Sequence, residues 1–504
     1  MLLTDPHVLA KTLFDDGKAF NDMLDEQRKM LDLSEDAFTA LIDTALLYRP
    51  DLVLIAGDLT KDSEAASHAV VVDQLNRLKV QNIPVLLIPG NHDIGGKAYS
   101  YIGDEKQEVP NLTDAEWEST YAQLVYDNAA AKDPNSHSFV AEPLPFVTIL
   151  GIDGAHNAAG TGSLSDETLR WLLTQADEAR AKGNMVLGMC HWQLVEHVDK
   201  QSSAISSSRL ADADAIRDSL LAHEVRVLLT GHFHVNGITT YTDTLSLSSD
   251  SLVEITTGSP ITYPCPFRWL TVTHDRQTIG IETGFIRSLD TIADMETYSR
   301  EWMRVHAANM VPQMTLRAFN RIEPLLDEYS ESATMGVFIN FFRDCIPESD
   351  SAKVALVEKH LGSTIVELYL LHSAANEPEH PEADSLAQAF YAGMESMIHE
   401  MTDEKVSAYT QWMQDMIISM GKSMAKEPVQ SLVEDKTNWK SAYYADVTDD
   451  LHLLLDINEP IQREAIENIL SPSDADTYYD LLGRPVSHPD RHGIYIRNGQ
   501  KLLR

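Results

Sequence analysis

Cysteine is scarce in this sequence, and long apolar runs are missing. The three cysteines, Cys190, Cys265 and Cys345, are too few for a disulfide framework, and their apolar neighbours predict buried free thiols. No run approaches the 18 apolar residues that a transmembrane helix needs. No signal peptide is visible, but the first strand-like run starts at Met1, so prior removal of an export signal stays open. The sequence predicts neither the compartment nor the oligomeric state.

Basic residues are also few. The chain has 39 Lys and Arg against 77 Asp and Glu, which gives a formal net charge of −38. A nucleic-acid-binding surface needs clustered Lys and Arg, so no such surface is expected, and the same charge argues against adhesion to anionic lipid. A small phosphate substrate is still compatible with this charge, because bound metal ions can invert the local field.

Strand-like and helical patterns alternate along the first half of the chain. Apolar runs such as Val85–Ile88, Met185–Met189 and Val225–Leu229 are separated by segments with helical spacing, of which Ser34–Tyr48 is an example. This alternation predicts an α/β fold with a βαβ-type layered sheet over residues 1–285.

The pattern changes near residue 288. From Asp290 to about Ser441 the period is helical, as in Met314–Tyr329, and the end of the chain returns to strand signals. Gly493–Leu503 is typical of a β-hairpin with Asn498 and Gly499 as its turn. We therefore predict one domain over residues 1–288 and a mainly helical accessory domain over residues 289–504, ending in this hairpin.

Five strand-like runs end in residue types that bind metals. In chain order the runs end in Asp5 and His7, in Asp58, in Asn91 and His92, in His191, and in His232 and His234. Ligands bind at the carboxyl ends of strands in open α/β sheets, so we expect these side chains to lie along one rim. Carboxylate, imidazole and amide ligands suit Mn, Fe, Zn, Co or Ni as divalent or trivalent ions. One Asp can bridge two ions, and such a pair clamps the attacking and leaving oxygens of an in-line displacement.

Taken together, the motifs resemble the calcineurin-like metallophosphoesterase superfamily. They are DPH at residues 5–7, GD at 57–58, GNHD at 90–93, the strand-terminal His191, and GHFH at 231–234. They follow the order of that family, and the closing strands extend the resemblance to about residue 285. The resemblance implies a layered β-sandwich flanked by helices, followed here by the mostly α-helical C-terminal region.

The same resemblance implies a role for each motif residue. With Asp58 as the bridge, Asp5, His7 and His234 hold one metal and Asn91, His191 and His232 hold the other. His92 is not a ligand in that pattern. It faces the leaving group and acts as a general acid or stabilises charge on the phosphoryl oxygen.

The implied activity is hydrolysis of a phosphate ester by in-line attack of a hydroxide that bridges the two metals. The substrate is expected to be small or lipid-like, with a weak preference for phosphodiesters, because the motif set also resembles the cyclic-nucleotide phosphodiesterase branch. Two alternatives stay open. One is a phosphomonoesterase, and the other is a metal-binding scaffold that has kept the fold and lost catalysis.

Two departures from the family pattern leave further questions open. The interval between His7 and Asp58 is long, so the insertion at residues 8–33 is a candidate wall of the site. Several branches of the family have an Asp three residues after the bridging Asp, but this chain has Lys61 there, followed by Asp62. The orienting partner of His92 is therefore not assigned, and neither is a role for Asp93.

Overall fold

A computed structural model gives the positions of most of the chain. It describes residues 1–155, 162–198, 201–204, 207–242, 251–273, 278–329, 336–376, 380–407, 410–434, 444–446, 450–456, 478–480, 485–486, 494–497 and 500–503. The chain forms two compact units, of which the first comprises Met1–Arg268 and Thr283–Leu451 and the second Trp269–Glu282 and His452–Arg504. The division at residue 288 remains a prediction.

Strands occupy both ends of the chain, and helices dominate the stretch between them. The strands are β1 (Leu2–Leu3), β2 (Val53–Ala56), β3 (Val85–Ile88), β4 (Ala98–Ile102), β5 (Glu105–Val109), β6 (Ala131–Lys132), β7 (Phe139–Leu144), β8 (Val147–Ile152), β9 (Met185–Cys190), β10 (Val227–Thr230), β11 (Gly237–Thr242), β12 (Ser251–Thr256), β13 (Pro266–Thr273), β14 (Thr278–Phe285), β15 (Tyr444–Asp446), β16 (His452–Asp456), β17 (Tyr478–Asp480), β18 (Pro485–Val486), β19 (Ile494–Arg497) and β20 (Gln500–Leu503). The α-helices are α1 (Lys18–Asp25), α2 (Ser34–Tyr48), α3 (Ala65–Val80), α4 (Asp114–Val125), α5 (Asp166–Ala181), α6 (Gln201–Ala204), α7 (Ala213–Ala222), α8 (Met295–Tyr329), α9 (Gly336–Cys345), α10 (Asp350–Val357), α11 (Ser363–Ala374), α12 (Ala383–Thr402) and α13 (Gln411–Glu434).

Two sheets form the centre of the first unit. In one, β1, β2 and β3 are parallel and buried throughout, and Arg268 pairs antiparallel with Leu2 at the outer side of β1. In the other, the strand order is β15-β11-β12-β10-β9-β8-β7-β6, with β8, β9, β10 and β12 parallel. Strands buried on both faces need apolar residues at every position, which explains the continuous apolar runs.

Helices cover the sheets and connect their parallel strands. α2 packs against α3, and α5 packs on β8 and β9 and against α7. The core beneath them includes Leu172 and Leu220 from the helices and Leu150 and Leu228 from the strands, all fully buried. The predicted fold class, an α/β layered fold flanked by helices with a helical C-terminal region, is confirmed.

The helices after residue 290 have a core of their own. Met303 and Val311 of α8 pack with Leu370 of α11, Ile398 of α12 and Met413 of α13. α8 begins at Met295, well before the predicted start at Met314, and continues through Pro312. In the described part of the chain, no helix has the length and apolar character needed to cross a membrane.

The second unit contains short antiparallel strands. β14 pairs with β16, and a separate sheet has the order β18-β17-β19-β20. β19 and β20 pair with Arg497 opposite Gln500, which is the register of a hairpin. The turn residues predicted between them, Asn498 and Gly499, lie outside the described residues.

Candidate metal centre

Close backbone approach at three glycines brings the strand ends of both sheets together. A Cβ on Gly57 would lie 2.6 Å from Nδ1 of His191, and one on Gly231 would lie 2.0 Å from Oγ1 of Thr4. A Cβ on Gly90 would lie 2.2 Å from Oδ1 of Asp58. Real side chains do not approach so closely, so each of these positions requires glycine. These are the glycines of the GD, GNHD and GHFH motifs.

The loops also share an unusual backbone conformation. Five non-glycine residues at the strand ends have a positive φ between 42° and 66°, and they are Asp5, His7, Asp58, His232 and His234. A positive φ is uncommon outside glycine, although Asp and His adopt it more readily than most residues. Such conformations cost free energy and concentrate at functional sites, where the surrounding structure enforces them. The five positive φ values therefore mark these loops as a candidate functional site.

Asp58 lies at the centre of the site. Its Oδ2 is 3.5 Å from Nε2 of His7 and 3.2 Å from Nε2 of His191, and its Oδ1 accepts a 2.9 Å hydrogen bond from the backbone N–H of His92. Two groups of potential metal ligands share it. Asp5, His7, Asp58 and His234 form the first, and Asp58, His191 and His232 form the second. Within each group the ligand atoms lie within 4.8 Å of one another.

In the second group, ring nitrogens with free lone pairs converge. His191 Nδ1 donates to the carbonyl of Ala56 at 2.7 Å, and His232 Nε2 donates to that of Ser207 at 3.0 Å. In the neutral rings, the opposite nitrogens are therefore unprotonated, and they lie only 3.2 Å apart. Burial lowers the pKa of His191, but Asp58 and Asp5 outweigh it and raise this pKa to about 9. The two carboxylates thus favour a positive charge at His191 Nε2, either as a proton or as a metal ion bound to the neutral ring.

The first group is fully buried, whereas His232 of the second group is partly exposed. Nε2 of His234 lies 3.0 Å from Nε2 of His7 and 3.1 Å from Oδ1 of Asp5. The other carboxylate oxygen of Asp5 is occupied, because it accepts bonds from Thr4 Oγ1 at 2.6 Å and from the His232 backbone at 2.9 Å. These two bonds fix the carboxylate and leave Oδ1 directed at the imidazoles. The donor set therefore fits a metal ion.

Asn91 completes the set that the sequence predicted. It lies on the loop that follows β3, after Pro89 and Gly90, and its Oδ1 is buried without a hydrogen-bond partner among the described residues. A buried amide oxygen without a partner is costly, and a cation would satisfy it. The structure thus brings six of the predicted ligands into two groups. The oxygen of Asn91 has no partner among the described residues, and the next residue, His92, donates its backbone N–H to Asp58.

The structure identifies the partner of His92. His92 Nδ1 donates to Oδ1 of Asp62 at 2.9 Å, and the other oxygen of Asp62 pairs with Lys61. Burial raises the pKa of Asp62, but the bonds from His92 and Lys61 outweigh this effect and lower it to about 2. The Asp is displaced by one position from the family pattern, so the spacing alone did not assign it. The His92 ring also contacts His7 edge-on, with 4.9 Å between the ring centroids.

Asp93, also unassigned from the sequence, ties two loops together. Its Oδ2 accepts from the Gly90 N–H at 2.8 Å, and its Oδ1 accepts from the Thr60 N–H at 3.0 Å. Its side chain is fully buried, and burial raises its pKa to about 7. His68 braces the same turn, because its Nε2 bonds the Asp93 carbonyl at 3.0 Å. Asp93 therefore holds the loops that carry Asp58 and His92.

Replacing Asp62 by asparagine is expected to lower kcat about 10- to 100-fold, because the carboxylate that orients the His92 ring is lost. KM and metal content should change little, since Asp62 is not among the grouped ligand atoms. The Asp62→Glu variant should recover part of kcat. Asp177→Asn is the matched control, because Asp177 pairs with His223 at 2.9 Å on the surface. Equal kcat in Asp62→Asn and the control would remove Asp62 from this role.

The insertion at residues 8–33 contributes to the surroundings of the site. Arg28 Nη1 donates to the hydroxyl of Tyr369 in α11, and Asn309 of α8 donates to the carbonyl of Asp25 at 3.1 Å. Phe233, between the two His residues of the GHFH motif, contacts the ring of His372 in α11. The helical region therefore packs directly on the loops of the site. Sequence patterns could not indicate this, because the contacting residues are far apart in the chain.

Comparisons with known proteins place this geometry in a family context. Residues 1–236 match the model of the calcineurin-like phosphoesterase family. The chain is 27% identical over 207 residues to a probable glycerophosphodiester phosphodiesterase GpdQ of Arcobacter nitrofigilis, covering 40% of this chain and 63% of that protein. It is 40% identical over 61 residues to the DNA double-strand break repair protein Mre11 of Methanococcus maripaludis, covering 12% of this chain and 16% of that protein. The matches thus span less than two thirds of these relatives.

Solved structures also match part of the chain, at low sequence identity. A dimetal phosphatase from Danio rerio is 15% identical with a TM-score of 0.40, covering 56% of this chain and 94% of that chain. The purple acid phosphatase PPD1 from yellow lupin (Lupinus luteus) is 13% identical with a TM-score of 0.36, covering 58% of this chain and 52% of that chain. Matches with TM-scores this low support no conclusion about the fold or the activity of this chain. The match to DNA repair proteins is short, so the absence of a nucleic-acid-binding surface stays a prediction from charge alone.

Proposed function

Because residues 1–236 are a calcineurin-like phosphoesterase sequence, we propose that this protein is a metal-dependent hydrolase of phosphate esters with a weak preference for phosphodiesters. The observation that carries the proposal is the position of Asp58, whose carboxylate is shared by two buried ligand groups beside the His92–Asp62 pair. The match to a probable glycerophosphodiester phosphodiesterase supports the preference for diesters.

The proposed ligand assignment follows the two groups. Asp5, His7, Asp58 and His234 would hold one ion, and Asp58, His191, His232 and Asn91 would hold the other. When bound, the two ions would polarise the phosphoryl oxygens and lower the pKa of water toward neutrality. The metal identity is open among Mn, Fe, Zn, Co and Ni, since carboxylate, imidazole and amide oxygen ligands suit all of them.

The chain's own groups supply orientation and a proton. Asp62 holds Nδ1 of His92, so the remaining ring nitrogen, Nε2, is the one directed away from Asp62 and available to substrate. The His92 side chain is 30% exposed, so a substrate can reach it. We propose that Nε2 donates a proton to the leaving oxygen as the bond to phosphorus breaks. The backbone N–H of His92 bonds Asp58, which fixes the imidazole relative to the proposed metals.

Turnover of two chromogenic esters tests this proposal. The Mn-loaded protein is expected to hydrolyse both bis(p-nitrophenyl) phosphate and p-nitrophenyl phosphate, with the higher kcat/KM on the diester. Removal of metal by a chelator should abolish turnover, and added Mn should restore it. A higher kcat/KM on the monoester would overturn the preference for diesters and favour a phosphomonoesterase.

The competing hypothesis is a metal-binding scaffold without catalysis. It predicts metal binding with no turnover of either ester. Failure on both esters by protein with a full metal content would favour it. The complete set of ligand types, together with the oriented His92, argues against this hypothesis, because a pure scaffold has no need for an exposed imidazole held by a carboxylate.

A further inference from the structure

Lys61 stands where several branches of the family carry an aspartate, and its side chain is buried. Only 8% of the side chain is exposed, and its Nζ pairs with Oδ2 of Asp62. Asp62 is the residue that accepts the hydrogen bond from the His92 ring. A buried ammonium group is costly unless it is paired, so a lysine at this position needs a reason.

The Asp62 carboxylate has few contacts of its own. Its side chain is 31% exposed, and among the described residues its only side-chain partners are His92 and Lys61. The two contacts use different oxygens, with Oδ1 bonded to His92 at 2.9 Å and Oδ2 paired with Lys61. A carboxylate that water can reach is free to rotate when only one oxygen is held. Lys61 therefore restricts the orientation in which Asp62 meets the imidazole.

Two further contacts fix Lys61 itself. Its Nζ lies 5.4 Å from the centroid of the Tyr101 ring, which is within the range of a cation–π interaction. Tyr101 belongs to β4, and it is 2% exposed. The backbone N–H of Lys61 donates to the carbonyl of Val8 at 3.1 Å, and Val8 directly follows His7 of the candidate site. Both ends of Lys61 are therefore held relative to the ligand loops.

The burial of Lys61 argues against direct contact with a substrate. The side chain of His92 is 30% exposed, compared with 8% for that of Lys61. The Lys61 ammonium is also already engaged by Asp62 and lies against the Tyr101 ring. Any effect of Lys61 on the reaction is therefore expected to pass through Asp62.

We propose that Lys61 is a positioning residue, which holds the Asp62 carboxylate in the orientation that fixes Nδ1 of His92. This inference rests on the proposed function, in which His92 gives the proton to the leaving oxygen, and it extends that function by one residue. The contacts run from Tyr101 through Lys61 and Asp62 to the imidazole. In this chain of contacts, the lysine at residue 61 stabilises a carboxylate that is displaced to residue 62.

A double-mutant cycle of Lys61→Met and Asp62→Asn in Mn-loaded, full-length protein tests this inference. Methionine keeps an apolar stem against Tyr101 and removes the ammonium group. Lys61→Met alone should lower kcat on the better ester about 3- to 10-fold, because Asp62 keeps only one of its two contacts. KM and metal content should change little. In the Asp62→Asn background, Lys61→Met should lower kcat less than about twofold, because no carboxylate is left to hold.

Lys132→Met is the matched control. Lys132 also pairs with a carboxylate, since its Nζ lies 2.5 Å from Oε1 of Glu118, and it lies 5.0 Å from the centroid of the Tyr126 ring. Its replacement should leave kcat within about twofold of the wild type. Lys61→Arg should recover part of kcat, because arginine keeps the charge and can donate to Asp62.

The outcomes separate positioning from a structural role. An equal fall in kcat for Lys61→Met in the wild-type and Asp62→Asn backgrounds would overturn the inference, because that effect would not pass through Asp62. A kcat of Lys61→Met equal to that of Lys132→Met would also overturn it. If Lys61→Met loses its circular dichroism spectrum or its metal, Lys61→Gln takes its place in the cycle under the same criteria. Loss of metal from both variants would overturn the inference, since Lys61 would then support the ligands. Wild-type protein that carries metal but turns over neither ester would instead refute the proposed function.

Discussion

Replacing Asp58 by alanine is expected to remove both metals and to lower turnover to background. Asp58 is the residue that the two ligand groups share, so its loss leaves each group short of a carboxylate. It also removes the acceptor of the His92 backbone N–H and leaves His7 and His191 without the carboxylate that lies 3.5 and 3.2 Å from them. Metal content measured by mass spectrometry should fall from two ions to below one ion per chain.

Asp58→Asn separates loss of charge from backbone strain. Asp58 has a φ of 52°, which asparagine adopts more readily than alanine, and the amide oxygen can still accept the bond from His92. This variant should keep the fold and still lose affinity for metal. Asp43→Ala is a suitable control, because Asp43 is exposed and pairs with Arg77 at the surface. Two tightly bound ions in Asp58→Ala would contradict the proposed bridge.

Replacing His92 by alanine is expected to keep both metals and to lower kcat about 100- to 10,000-fold, as removal of a general acid does. His92 is not among the grouped ligand atoms, and its only side-chain hydrogen bond among the described residues is to Asp62. Metal content and kcat on both esters are measured on the same preparation. Loss of metal together with turnover would mean that His92 supports the ligands.

His223→Ala is the matched control for this variant. His223 also pairs with an Asp at 2.9 Å, but the pair lies on the surface between α5 and α7. Its removal should leave kcat within about twofold of wild type, since surface substitutions of this kind have small effects. Unchanged turnover in His92→Ala would remove the imidazole from the mechanism and leave the proposed metals to act without it.

Local signals predicted much of the framework. The helix over Ser34–Tyr48 and the strand over Val85–Ile88 have the bounds read from sequence, because their patterns are strong and their ends carry clear breaks. The strand predicted at Val225–Leu229 is observed at Val227–Thr230. The reason is local, since the backbone N–H of Val225 bonds Leu220 and closes the end of α7.

Long-range contacts decided what the sequence could not predict. The motifs placed the metal-binding residue types at the ends of predicted strands. The partner of His92, in contrast, depends on the path of the loop after Asp58. The insertion at residues 8–33 is a similar case, since Arg28 contacts Tyr369, which is 341 residues away. No periodicity or short motif reports such a pairing.

The contact between Arg28 and Tyr369 means that the surroundings of the site and its ligands are held by different parts of the chain. The ligands and His92 come from the loops that follow β1, β2, β3, β9 and β10, whereas the insertion at residues 8–33 is held through Arg28 by α11. Substitutions in α11 can therefore alter the surroundings of the proposed site without changing its ligands or His92. Over evolutionary time, a chain with this division can acquire new substrates while its chemistry stays under constant selection.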